Sequence, residues 1–185
     1  MVTELRLYED ALANVRNDRN FHPVRQLVQP NDPLVREIAS VLSQAEFPVE
    51  AAQDFINTFT SYEPEPGDIW RTPAELFERK AGDCDDKAIA LCSLLRNYLP
   101  AEEVFCAFGV WEHGVDEGHM WVVMRGEDGN DRVLESTAGS DHVLYGDYRL
   151  MAMFNDQYFF TYPEGVKEFN LYPVGGEDEY GEEAL

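Results

Sequence analysis

The sequence is short of positive charge. Fourteen lysines and arginines face 36 aspartates and glutamates, a formal net charge of −22 at pH 7. Such a chain repels phosphate, so nucleic acid and anionic membrane are not expected as partners, whereas basic partners are favoured. Lysine is rarer still, with Lys80, Lys87 and Lys167 against eleven arginines. That balance suits a high-salt cytoplasm, where self-repulsion is screened, as well as it suits an ordinary acidic protein. Long apolar runs are also missing. No stretch reaches the about eighteen residues a transmembrane helix needs, and Met1-Val2-Thr3-Glu4-Leu5-Arg6 has no basic segment leading into an apolar one, so a cytoplasmic protein is expected. Cysteine is scarce. Three residues without paired spacing argue against a disulfide framework, and with no Cys-x-x-Cys and no His-x-x-x-His there is no zinc pattern. No metal or organic cofactor is expected.

What is present is enough to build a core. A chain of 185 residues with 44% hydrophobic and 12% aromatic content fits one domain, taken here as residues 1–174. The last segment, 175–185, is too acidic and too poor in apolar residues to fold, and reads as a flexible tail. Leu5, Tyr8, Leu12 and Val15 recur at helical spacing in 3–19, and Phe21 to Asn31 reads as a connecting loop. Asp32-Pro33 starts a helix with Leu34, Ile38 and Leu42 on its inner face. Pro48 starts another, with Val49, Ala52, Phe55 or Ile56, and Phe59, broken by Glu63-Pro64-Glu65-Pro66-Gly67. Thr72-Pro73-Ala74-Glu75 is a capping box ahead of a short helix that Gly82 should end. The first hundred residues therefore read as helical. The next seventy read as antiparallel sheet, beginning with Val104 to Trp111, apolar enough to be buried on both faces, and including a strand in Tyr158–Pro163.

Chemistry concentrates at Gly82-Asp83-Cys84-Asp85-Asp86. Asp83 stands at the N-cap position of an apolar helix carrying Ala88, Leu91, Cys92 and Leu95, so Cys84 is its first residue. The open N–H groups of that first turn favour a thiolate, whereas Asp83, Asp85 and Asp86 oppose it by like-charge repulsion. An imidazole is then needed to decide the balance. His119, in the strand-like Gly118-His119-Met120-Trp121-Val122-Val123-Met124, is the candidate, and Glu135, in Arg132-Val133-Leu134-Glu135-Ser136-Thr137, follows on the next strand. They share a face when the antiparallel register sum is even, and a three-residue loop at 126–128 would set them directly opposite each other. Cys92 and Cys106 read as core, and Asp85 and Asp86 as helix-start residues.

The order of a cysteine in Gly-Asp-Cys-Asp-Asp at a helix start, a Gly-His-x-Trp strand and an acid in Leu-Glu-Ser-Thr resembles the transglutaminase-like superfamily. The likeness spans about 32–137 and takes in Asp32-Pro33-Leu34-Val35, Phe59-Thr60-Ser61-Tyr62 and Trp70-Arg71-Thr72-Pro73. It implies an α+β, papain/transglutaminase-like fold, with N-terminal helices including the nucleophile helix packed on an antiparallel sheet. It further implies Cys84 as nucleophile, His119 as general base and acid, and Glu135 as the third member, where the family usually has aspartate. The expected activity is acyl transfer on protein or peptide amides, with hydrolysis favoured over cross-linking. The Cys84 N–H and the Trp70 indole, beside Asp83, are the candidate oxyanion and cleft groups. A non-catalytic module that binds a basic peptide or partner protein is the alternative. Oligomeric state is not read from the sequence.

Overall fold

The computed structural model describes residues 24–64, 69–112, 116–126, 130–138 and 147–161. The expected helix at 3–19 and the acidic tail lie outside them. A single 3-10 turn, Val24–Leu27, opens the described chain inside the segment expected to be loop. Helix α1, Pro33–Leu42, begins as its sequence requires, with Asp32 accepting from the Leu34 and Val35 N–H groups and Pro33 in the first turn. Its buried residues are Val35 and Ala39. Of the expected inner face, Ile38 and Leu42 are partly buried and pack against the core, whereas Leu34 is 41% exposed. Helix α2 is Pro48–Phe59, burying Ala52, Gln53 and Ile56.

Helix α3, Pro73–Arg79, carries the full capping box between Thr72 and Glu75. It is closed by Lys80 in a left-handed conformation, φ 59° and ψ 22°, and not by Gly82. Gly82 instead lies in β2, Ala81–Gly82, which pairs in parallel with β1, Ser61–Tyr62. Small size is what that position requires, because an added Cβ would sit 2.5 Å from Asp86 Oδ2 and 2.8 Å from Leu76 Cδ1. This miniature sheet delivers the chain to α4, Cys84–Leu95. Every residue of α4 from Asp85 onward is buried, which is the signature of a helix enclosed on all sides.

The second half forms one antiparallel sheet in the order β5-β4-β3-β6-β7. Its strands are β3 (Val104–Glu112), β4 (Asp116–Arg125), β5 (Asp131–Leu134), β6 (Asp147–Phe154) and β7 (Phe159–Thr161). Strand β3 lies at the centre and is buried on both faces, as its unbroken apolar run foretold. Val104 and Cys106 join the helical core with Met120, Val122 and Phe154, while Phe105 and Ala107 join a second cluster with Trp121, Val123, Tyr148 and Leu150. The β3–β6 ladder shifts register at Phe108/Gly109, so that Met151 is the extra residue of a bulge. Strand β6, unrecognised in the sequence, is the neighbour that completes the site.

Candidate active site

Three elements converge. Cys84 is the first residue of α4, His119 lies in β4, and Glu135 stands one residue past the end of β5. The β4–β5 ladder pairs Val122 with Leu134 and Val123 with Val133, a register sum of 256, where direct opposition of His119 and Glu135 would need 254. The two therefore share a face but are offset by two residues along the sheet. The Gly126 N–H donates to the Asn130 carbonyl, so the connection is centred one residue later than the 126–128 loop that direct opposition called for. Glu135 still reaches the ring, with His119 Nε2 2.9 Å from its Oε2.

The Glu135 carboxylate is saturated with donors. Tyr148 Oη donates to the same Oε2 at 2.9 Å, and the Thr137 N–H and hydroxyl donate to Oε1 at 3.0 and 2.8 Å. Burial alone would raise its pKa, yet His119 and Thr137 together hold the carboxyl below the usual range, so it is ionised. An ionised carboxylate can only accept. Nε2 therefore carries the ring proton and Nδ1 is left with the lone pair, the tautomer a general base requires. Trp111, Trp121 and Tyr148 pack around the imidazole with ring centroids 5.6, 6.2 and 6.1 Å away.

Cys84 meets β4 at the residue after the histidine, where the Met120 backbone favours the thiolate by hydrogen bonding. Among the described residues no hydrogen bond joins its sulfur to the imidazole. Burial, then Asp85, Asp83 and Glu135, push the thiol up to about 12. The contest that the sequence left open between helix terminus and aspartates is thus won by burial and the carboxylates, and the resting group is a thiol. Asp83 occupies the N-cap position but makes no side-chain cap bond.

Asp86 is 1% exposed and receives the Arg71 backbone N–H at 2.7 Å and its Nη1 at 2.6 Å. Burial raises its pKa to about 6 against the opposing pull of Arg71. Carboxylate oxygens of Asp83, Asp85 and Asp86 lie within 4.8 Å of one another, but the Arg71 guanidinium already occupies the cation's place beside Asp86, and we assign no ion there. Trp70, next to this ion pair, is 3% exposed and stacks on Phe154 at 6.1 Å within the helical core.

Five polar residues of the site were not singled out in the sequence. Tyr148 could have been found, because Tyr148, Leu150, Ala152 and Phe154 alternate as a strand should. Thr137 follows Glu135 by two residues, the spacing at which a side chain bonds its own downstream backbone. Gln53, Asn57 and Lys87 carry no such signal, since polar residues on helices read as solvated.

Residues 68–161 match the profile of the CEP76 peptidase-like domain family. The centrosomal proteins of 76 kDa from Pongo abelii and Homo sapiens are each 30% identical over 142 residues, covering 70% of this chain and 21% of theirs. The chain thus spans about a fifth of the length of these curated relatives. Among solved structures, Legionella pneumophila LapG superposes with a TM-score of 0.52 at 20% identity, covering 74% of this chain and 84% of that one. Its calcium-bound form gives 0.54 at 18%, covering 94% and 93%. The likeness establishes an α+β, papain/transglutaminase-like fold.

Proposed function

We propose a function from one premise: the chain belongs to the CEP76 peptidase-like domain family. Our reading is cysteine-dependent acyl transfer on protein or peptide amides, with water as the favoured acceptor. The observation that carries it is the ionised Glu135 bonded at 2.9 Å to His119 Nε2, which leaves Nδ1 basic beside the strand position that Cys84 contacts. Because the resting thiol is protonated, no preformed ion pair drives attack. His119 Nδ1 takes the Cys84 proton as the sulfur adds to the carbonyl, much as a serine nucleophile is activated. Glu135 stabilises the imidazolium that forms. The ring then gives that proton to the leaving amine, and the thioester remains on Cys84. Water, deprotonated by the same Nδ1, releases the acid. The Cys84 N–H at the helix start is the proposed oxyanion donor, and Trp70 takes the role of a core residue supporting the cleft.

A second reading rests on a specific observation. A thiol held near 12 by burial and three carboxylates is poorly prepared for attack, which favours a non-catalytic module that binds a basic peptide through its acidic surface. The relatives' name, centrosomal protein, is compatible with either role. Acetylation by p-nitrophenyl acetate, followed by intact mass and peptide mapping, separates them without knowledge of the substrate. Catalysis predicts a p-nitrophenol burst with the acetyl group on Cys84, abolished in Cys84→Ser and in His119→Ala. Acetylation that is slow and indifferent to His119 would leave the binding module.

A further inference from the structure

Lys87 has no part in the acyl-transfer scheme, yet it is 2% exposed, one turn along α4 from the nucleophile. Burying an ammonium is unfavourable unless charge and hydrogen bonds compensate it. Its hydrogen-bond partner among the described residues is Asn57 Oδ1, at 3.4 Å. Burial lowers its pKa, and the charge of Glu135 opposes this. Asn57 in turn donates from Nδ2 to the Ala138 carbonyl at 2.5 Å, and Gln53, one helical turn earlier on α2, donates to the Glu135 carbonyl at 2.9 Å. These contacts matter because Glu135 lies beyond the last ladder pair, Val122 with Leu134. The turn that carries the acid is therefore held by two side chains of α2, one of which, Asn57, is bonded in turn to Lys87 of α4.

We propose that Lys87 is a positioning residue for the His119–Glu135 pair: it ties the Glu135 turn to the helix carrying Cys84 and balances the Glu135 carboxylate with a buried cation. The physical need is specific. An ionised carboxylate 2.9 Å from an imidazole favours imidazolium, which cannot act as a base. A buried cation acting on that carboxylate reduces the preference for the charged ring. Among the described residues Tyr148 bonds the same carboxylate oxygen, and Cys84, flanked by Asp83 and Asp85, meets the Met120 backbone next to the ring in sequence. The catalytic consequence rests on the acyl-transfer reading, whereas the charge balance does not.

The test is an NMR titration of the His119 ring nitrogens in the wild type, Lys87→Met and Lys87→Arg, with thermal melts of each. The Met variant is expected to stay folded at about 25 °C with a lowered Tm, since Glu135 loses its buried counter-charge, and to titrate His119 about one pH unit higher. The acid limb of Cys84 acetylation should move up equally, making acetylation about tenfold slower below the His119 midpoint, and Lys87→Arg should restore both. An unchanged His119 titration in a folded Met variant would overturn the proposal. So would loss of the fold, which would make Lys87 a structural residue. Were the wild type not acetylated at Cys84, the acyl-transfer reading would fall while the titration still decided the role of Lys87.

Discussion

Glutamate at the acid position follows from where the chain puts it. Directly opposed residues on antiparallel strands have Cβ atoms ~4.5 to 5.5 Å apart, whereas diagonal neighbours are ~7 to 8 Å apart. The observed register makes Glu135 a diagonal neighbour of His119, and the additional methylene supplies about 1.5 Å of reach. Aspartate would suit direct opposition; here it falls short. Glu135→Asp should therefore lower His119-dependent acetylation of Cys84 about a hundredfold, or ~2.7 kcal/mol, and lower Tm as well, because the buried donors lose their acceptor. An Asp variant as active as the wild type would show that the turn can move to meet the ring. Cys84 sets a second expectation at this scale. With its pKa raised from 9.0 to about 12, the thiolate fraction at neutral pH is very small and grows with pH. Iodoacetamide labelling of Cys84 should therefore rise about tenfold per pH unit from 7 to 10 without a plateau. A plateau below pH 8 would mean a thiolate stabilised by the imidazole. The folded state also binds this proton more tightly than the unfolded chain between about 9 and 12. Its stabilising contribution is thus complete below that window and lost as pH rises through it.

At the level of elements, sequence patterns revealed what is local and missed what is cooperative. The capping box of α3, the Asp32 cap of α1 and the enclosed β3 are written in a few neighbouring residues, and each formed as expected. The register of β4 on β5 was missed because it depends on which residue the connection is centred on, and a shift of one there moves the pairing by two. Strand β6 was missed because its alternation begins just after a glycine- and aspartate-rich stretch. The fold needs it nonetheless, since Tyr148 brings the fourth donor to Glu135. Its placement depends on Gly109, at the bulge and paired with His119 across β3–β4. A Cβ on Gly109 would lie 2.0 Å from the Arg149 backbone oxygen and 2.9 Å from the Trp121 ring. Backbone cannot yield as a flexible side chain can, so Gly109→Ala should push β6 from β3 and cost about 3 kcal/mol in a denaturant melt. It should also slow acetylation by displacing Tyr148. Retention of both stability and rate would show that the bulge absorbs a methyl group.

For the whole molecule the decisive property is the net charge of −22. A folded chain that carries that excess repels itself, and unfolding relieves the repulsion by spreading the charge, so low ionic strength should weaken the fold. Salt opposes this because the Debye length falls from ~30 Å at 0.01 M to ~3 Å at 1 M. The favourable pairs respond unequally. Arg79–Glu63 is well exposed on both sides and contributes little in any case, whereas Arg71–Asp86 and Arg96–Asp156 are largely buried and are screened far less. Repulsion is thus removed while the attractive pairs that matter persist. Tm should climb steadily as KCl is raised from about 0.02 to about 1 M, with most of the gain in the first few tenths molar, where screening changes fastest. A basic peptide held by the acidic surface should weaken over the same range, so the two titrations would run in opposite directions. A flat Tm would mean that the carboxylates are spaced widely enough for water alone to screen them. A falling one would mean that ion pairs, and not the buried helix α4 with its surrounding core, carry the stability.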